Sequence, residues 1–309
     1  MVLSADDLQH LDTLEAKLQI VRDRTKSVVL GYRNGLHLWG EGGIGKSYSV
    51  LSELDRLKAD YVLSNSRLTG RALFDLLEQH PNKVHVLEDA EPLFRDKHAC
   101  GVLRSALWGQ TNEHHRQVRV VTWGVFPEQL SFNFEGGIVF IGNRPLDSVP
   151  ELRALQTRLP TLQLTATNQE LAALMRCVSE EGFRVLLQQR ELKSMSAAQC
   201  HEVCEFLIGE INSLARNLDM RLLVNSFRDF LQFQAGETQT HWHDLVKSEL
   251  KQQVVVPESR SERLARELQI ALEIAAMPDL STKEREELFK EKTGKHGRGY
   301  RRRLQDARH

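Results

Sequence analysis

One octapeptide constrains this chain more than any other feature: Gly40-Glu41-Gly42-Gly43-Ile44-Gly45-Lys46-Ser47. It has the form G-x-x-x-x-G-K-[ST]. The apolar run Leu36-His37-Leu38-Trp39 before it predicts a strand, and Lys46 to Lys58 after it predicts a helix. Strand, glycine loop and helix in that order are the context in which such a loop cradles phosphates. The glycines let backbone N–H groups turn inward around anionic oxygens, and the helix presents its positive end to them. Lys46 is then placed for the β- and γ-phosphates of ATP, and Ser47 for Mg²⁺. A chance glycine-rich turn would not come with both flanking elements.

The surrounding pattern agrees with a sheet covered by helices. Residues 5–24 carry Leu8, Leu11, Leu14, Leu18 and Val21 at spacings of three and four, which predicts a helix with Ser4 as its cap. Val28-Val29-Leu30 reads as a separate apolar piece. Strands are predicted at Tyr61 to Leu63, Val84 to Leu87, Gly137 to Asn143 and Leu159 to Thr165, and helices at Thr69 to Gln79 and Ala99 to Trp108. Such alternation predicts an α/β fold with a parallel sheet. From Asn168 to about Gln253 the apolar spacing is helical throughout, with no convincing strand. The expected organisation is an α/β core over 1–167, an all-α lid over 168–253, a linker helix over 254–280 and a basic helical tail over 281–309.

A phosphate loop needs an acidic partner on a nearby strand. Val84-His85-Val86-Leu87-Glu88-Asp89 supplies one. Mg²⁺ is assigned to Glu88 together with Ser47, and activation of water to Asp89. The usual order of such a pair is the reverse, and Glu91 is also close; a solvated acidic turn is the alternative.

Taken together, these motifs resemble the AAA+ branch of P-loop ATPases over roughly residues 5–250, in particular phage- and mobile-element-type relatives such as initiators, helicase loaders and transposition regulators. The resemblance implies further roles. Asn143, after the strand Gly137 to Gly142, resembles the first sensor and would help place water near the γ-phosphate. Arg158 resembles the arginine finger that a neighbouring subunit inserts, with Arg153 as its rival. Arg221, in Asp219-Met220-Arg221-Leu222-Leu223, resembles the second sensor, reaching the nucleotide from the lid. For each arginine, a surface helix charge is the alternative. The family reading also implies assembly with copies of itself and use of ATP and Mg²⁺. Its alternative is a nucleotide-gated interaction module with slow or no hydrolysis. A protein-remodelling machine ranks lower, because no aromatic pore loop is evident near Arg95 to Ala99.

Two segments suggest a polyanion partner. His114 to Phe134 reads as two extended arms carrying Arg116, Arg119, Trp123 and Phe126, a set suited to following a phosphate backbone and stacking on bases. Packing of its aromatics on the protein's own body is the equal alternative. The tail is the second. Lys292 to His309 holds seven Lys/Arg and one acidic residue, a charge of +6 that leaves −7 on the rest of a chain whose net charge is −1. Ser281 to Phe289 starts like a capped helix, and Tyr300 to Leu304 reads as a second one, so Lys295 to Arg303 resembles part of a small helix-turn-helix that would contact DNA. A disordered basic tail is the alternative.

Composition excludes several classes. Apolar content of 41% and charged content of 27% over 309 residues fit an ordinary globular chain. No apolar run approaches the ~20 residues of a membrane span, and no basic start leads into an apolar stretch as in a secretory signal. Four scattered cysteines, Cys100, Cys177, Cys200 and Cys204, point to a reduced, cytoplasmic setting. Cys200-His201-x-x-Cys204 lacks a second ligand pair, so buried helix cysteines are the better reading than a metal site. His114-His115 reads as a solvated turn.

Overall fold

A computed structural model describes residues 3–65, 68–111, 117–124, 127–146, 158–187, 191–252, 260–277, 280–293 and 297–306. The chain divides into two compact units, Met1–Gln239 and Thr240–His309.

The first unit begins with helix α1, Ala5–Val29. Ser4 caps it in a reciprocal box with Asp7, which satisfies backbone donors at its start. The helix runs through Val28 and Val29 and absorbs the apolar piece read from sequence as separate, because Val28 is buried against the sheet side of the same helical face as Leu14 and Val21. Strand β1 (Gly35–Trp39) leads into the glycine loop and helix α2 (Lys46–Arg56). Then follow β2 (Tyr61–Ser64), α3 (Gly70–Gln79), β3 (Val84–Glu88), a 3₁₀ turn at Glu91–Arg95 and α4 (Lys97–Leu107). Four short strands come next: β4 (Gln110–Thr111), β5 (Gln117–Val118), β6 (Val120–Trp123) and β7 (Leu130–Asn133). β8 (Gly137–Gly142) and β9 (Thr161–Gln163) complete the strands of the core.

Five of these strands form one parallel sheet in the order β2-β3-β8-β1-β9. Its strands are apolar runs rather than alternations because both faces are covered. Every residue of β8 is buried. Ile138 and Phe140 pack into a cluster with Leu73, Phe74 and Leu77 of α3 and Leu103 and Leu107 of α4. Val139 and Ile141, one residue out of phase, are buried toward the other face, where α1 packs on β1, β8 and α2. Burying one leucine or phenylalanine side chain contributes roughly 1.5–3 kcal/mol, so this two-sided strand anchors the core.

The region after Thr167 holds helices α5 (Asn168–Glu180), α6 (Ala197–Ser213) and α7 (Met220–Gln234). Between α5 and α6 stands an antiparallel hairpin, β10 (Phe183–Leu186) with β11 (Leu192–Met195). This corrects the expectation of an all-helical lid. Gly182 turns the chain out of α5 at φ +74°, and Phe183 reaches Phe227 of α7 with ring centroids 5.1 Å apart. α1 holds this region from its other side: Lys17 bonds the nearly buried Glu170 at 2.7 Å, and Arg176 bridges Asp7 at 2.8 Å and Glu205 at 2.7 Å.

The second unit contains α8 (Trp242–Lys251), α9 (Arg260–Ala275), α10 (Thr282–Thr293) and α11 (Gly297–Asp306). Ala271, Ile274, Phe289 and Tyr300 form a small core across α9, α10 and α11. Val254 to Pro257, read as a break in the pattern, lie outside the described residues. No helix among the described residues is long and apolar enough to cross a membrane.

Candidate nucleotide site

The glycine loop leaves β1 at Trp39, which pairs in register with Gly142 of β8. Its conformation requires its glycines. Gly43 and Gly45 have φ of +73° and +87°, where an L side chain is strained. Gly40 passes so close to the chain beyond β9 that a Cβ there would sit 2.1 Å from the Leu164 carbonyl oxygen. Gly45 stands at the start of α2, and no side chain caps that helix. A helix start of this kind is suited to an anion, which its leading N–H groups and positive end both favour.

Lys46 is buried, at 7% exposure. Its ammonium donates to the carbonyls of Gly40 (2.8 Å) and Glu41 (2.5 Å) and to Asn143 Oδ1 (3.3 Å). The Asn143 amide in turn donates to Asp89 Oδ1 at 3.3 Å. Lys46, Asn143 and Asp89 thus form a continuous polar line across the carboxyl ends of β1, β8 and β3. Sheet order explains it: β8 lies between β1 and β3, and Glu88 pairs with Ile141 just before the sheet gives way to Asn143. Asp89 takes a left-handed φ of +50°, held by its N–H bond to the Ile141 carbonyl at 3.0 Å.

Glu88 ends β3 half-buried, and its Oε1 is buried with no hydrogen-bond partner. A buried carboxylate oxygen without a donor is costly. A cation satisfies it, so the donor set fits Mg²⁺, a hard ion that takes oxygen ligands. Ser47, half-buried in the first turn of α2, would supply the hydroxyl.

The helical region after Thr167 meets the loop directly. The Met220 N–H donates to the Gly43 carbonyl at 3.1 Å. Asp219 caps α7 through the Arg221 N–H at 2.7 Å, and a Cβ on Gly43 would fall 1.8 Å from its carboxylate oxygen. Arg221 lies against the loop, its Nη1 3.3 Å from where a Gly42 Cβ would be. Asn217 reaches Glu41 at 3.4 Å, while Asn168 holds the backbone at Arg216 and Leu218 from the start of α5. Sequence reading singled out Arg221 here and missed Asp219 and Asn217. The signal was present in a cap residue placed immediately before the helix that carries Arg221.

Other candidates are placed differently. Arg158 lies with its guanidinium 5.9 Å from the ring of the exposed Trp108 and makes no polar contact with the glycine loop. Arg153 lies outside the described residues, as do Arg116, Phe126, His114, His115 and Lys295.

The arms after α4 do form a hairpin, with Val120 paired to Asn133 and Trp123 to Leu130. Their exposed-arginine reading needs correction at Arg119. It is 8% exposed and donates to the carbonyls of Ala106 (2.9 Å) and Gly136 (2.7 Å), over the Phe134 ring at 5.0 Å. Burial pushes its pKa down to about 10, opposed by the Glu135 carboxylate. Two of its donors face the protein's own backbone, so it is not the exposed phosphate-following side chain expected. Trp123 packs on Phe74 at 6.1 Å and His98 at 5.7 Å, so this aromatic also serves the body of the protein.

In the tail, Arg303 turns inward to Glu267 at 2.9 Å, whereas Arg302 is exposed and Arg301 bonds Glu286 at 2.6 Å from an exposed position. Lys295 to Arg303 is therefore not uniformly outward. Burial raises the thiols of Cys200 and Cys204 to about 11 and about 12, and no group of three metal-ligating side chains occurs among the described residues.

Compared with solved structures, the chain is similar to Cdc6p from Pyrobaculum aerophilum, at 14% identity and a TM-score of 0.50, over 96% of this chain and 86% of that one. A RuvB point mutant from Thermotoga maritima also matches, at 12% identity and a TM-score of 0.46, over 96% of this chain and 88% of that one. No family model matches the sequence, and no curated protein matches it. The chain shares its fold, a five-stranded parallel sheet with a mostly helical C-terminal region, with Cdc6p.

Proposed function

We propose that this chain is a Mg²⁺-dependent AAA+ ATPase that assembles with copies of itself and acts on DNA or a nucleoprotein complex. The observation that carries the reading is the line Lys46–Asn143–Asp89 beside the unpartnered Glu88 oxygen. Lys46 holds main-chain carbonyls that ATP phosphate oxygens would replace as acceptors. Asn143, already bonded to both Lys46 and Asp89, would hold the attacking water in line with the γ-phosphate. Asp89 would accept the proton of that water. Glu88 and Ser47 would hold Mg²⁺, which supplies charge neutralisation at the phosphates. Arg221 would read the nucleotide from the lid, and Arg158 would serve the site of a neighbouring copy, with Arg153 as its rival.

The phage- and mobile-element-type relationship, the division at 167, 253 and 280, and the cytoplasmic setting belong to the same proposal. So does DNA contact through the tail, for which the exposed Arg302 is the most available described side chain. The hairpin's share of that contact would fall to Arg116, since Arg119 and Trp123 face inward.

A second reading has its own observation. Asp89 is the later of the two carboxylates and is fixed by left-handed backbone and by Asn143, a geometry suited to sensing a nucleotide as well as to turning it over. ATP turnover with and without DNA, for wild type and Asp89→Asn, separates the two. DNA-stimulated hydrolysis lost in the variant supports the ATPase. Tight ATP binding without turnover supports a nucleotide-gated interaction module. Mass measured with and without ATP and Mg²⁺ tests assembly, and a monomer under every condition refutes it.

A further inference from the structure

A cavity of about 530 Å³ opens where β3 and β8 begin, at the opposite end of the sheet from the glycine loop. Arg33, Asn82, Asn133 and Glu135 line it together with Arg119. Its size lies within the usual range for small-molecule pockets, roughly 300–1,000 Å³.

Arg119 is what makes this cavity unusual. A guanidinium carries five N–H donors. The bonds to Ala106 and Gly136 use one hydrogen on each terminal nitrogen. Three N–H donors therefore have no protein acceptor among the described residues, although the side chain is only 8% exposed. Its charge is also incompletely answered. No carboxylate among the described residues forms a salt bridge with it; Glu135 acts at longer range, and Phe134 offers a ring face. Buried charges are as a rule paired. Arg33, exposed on the same wall, adds a second cation, so two arginines stand against one carboxylate. Asn82 and Asn133 add neutral donors and acceptors around them. The end of α1 forms another part of the wall, and its carbonyl-rich terminus leaves the two arginines as the cationic part of the lining.

We propose that this cavity binds a small molecule through a phosphate or carboxylate group seated on Arg119 and Arg33, with the asparagine amides completing its hydrogen bonds. Water would satisfy the three N–H donors but would leave the charge unanswered. The site is separate from the nucleotide site: β3 and β8 run from this cavity at Val84 and Gly137 to Glu88 and Gly142 at the other edge.

The test uses the full chain carrying Lys46→Ala, which removes the cation of the glycine loop. Inorganic phosphate, pyrophosphate and citrate are titrated into it at low salt by calorimetry. Saturable binding of at least one anion is expected. Binding of the phosphates without citrate assigns a phosphate ligand, and the reverse assigns a carboxylate. Arg33→Ala in the same background weakens the bound anion by about tenfold, as loss of a charged hydrogen bond does. Arg119→Lys, which keeps the charge and loses the planar fork, weakens it further. A thermal melt shows whether Arg119→Lys is folded; if it is not, the exposed Arg33 decides the question. No saturable heat with any of the three anions, or an affinity unchanged by Arg33→Ala, overturns the proposal.

Discussion

Lys46 and Arg119 are both cations shut away from solvent, at 7% and 8% exposure, and each donates to two main-chain carbonyls. The carbonyls differ in kind. Those of Lys46 belong to the glycine loop itself, within six residues of it, in a segment where Gly43 and Gly45 are left-handed and Asn143 offers a third contact. Those of Arg119 belong to α4 and to the residue before β8, elements brought together only by the fold. Under the proposed function the first cation is held where phosphate oxygens would replace its carbonyl partners. The second uses two of its five donors to tie distant parts of the core together and has the rest left for the proposed anion. Burial of a charge does not by itself say what the charge serves; its partners show how much of it the fold already uses.

Lys46→Ala tests the contrast most severely. Loss of a preorganised cation at the phosphates is expected to reduce ATP turnover by about 10²–10³-fold. Its melting temperature should stay close to wild type, because the released carbonyls gain access to water. Steady-state ATPase assays and a thermal melt measure both. Arg119→Met should reverse the pattern. Leaving the Ala106 and Gly136 carbonyls without donors is expected to cost about 3 kcal/mol in urea unfolding, while ATP affinity of the folded protein is retained. Equal losses of ATP affinity in the two variants would erase the distinction.

A glycine pair sharpens it further. Gly43 and Gly31 have almost the same φ, +73° and +74°, but a Cβ on Gly43 meets Asp219 and one on Gly31 meets nothing within 4 Å. Either alanine substitution carries about 1 kcal/mol of backbone strain. Gly43→Ala alone should weaken ATP binding, by roughly tenfold, because it must also displace the Asp219 end of α7. Fluorescent-nucleotide titration of both variants reads the difference.

The smallest effect concerns pH. Burial depresses the pKa of His85, whose ring lies 5.7 Å from Phe134, while its bond to the His80 carbonyl works the other way. Its Nδ1 is buried without a partner. A depressed histidine binds fewer protons folded than unfolded, so its contribution is fully present above the unfolded pKa near 6.5 and is lost as pH falls below it. Urea stability should therefore decline by up to about 1.4 kcal/mol per unit below that point. The ring should stay neutral by NMR at a pH where a free imidazole is protonated; a charged ring there refutes the assignment.

Local patterns carried much of this structure into view. The glycine loop is legible because the strand end, left-handed backbone and helix start all fall within eight residues. Glu88 and Asn143 are legible because apolar strands end abruptly at polar residues. Arg119 was misread because its partners lie thirteen and seventeen residues away and its extended neighbours look the same whether exposed or buried. The β10–β11 hairpin was missed because each strand is only four residues long between helices, and only the turn at Gly182 and the contact with Phe227 decide for strands. Arg303 looks like one more basic tail residue until the packing of Phe289 and Tyr300 turns it toward Glu267.

The hydrogen bond from Met220 N–H to the Gly43 carbonyl makes two equilibria into one. A glycine loop that reshapes around phosphates changes the acceptor on which the first turn of α7 rests. A lid that swings away removes a donor from the loop. Reciprocity then fixes the outcome: by whatever factor nucleotide biases the position of α7, anything else that biases α7 shifts nucleotide affinity by that same factor. A partner bound far along the lid would thus set the affinity for ATP without approaching it.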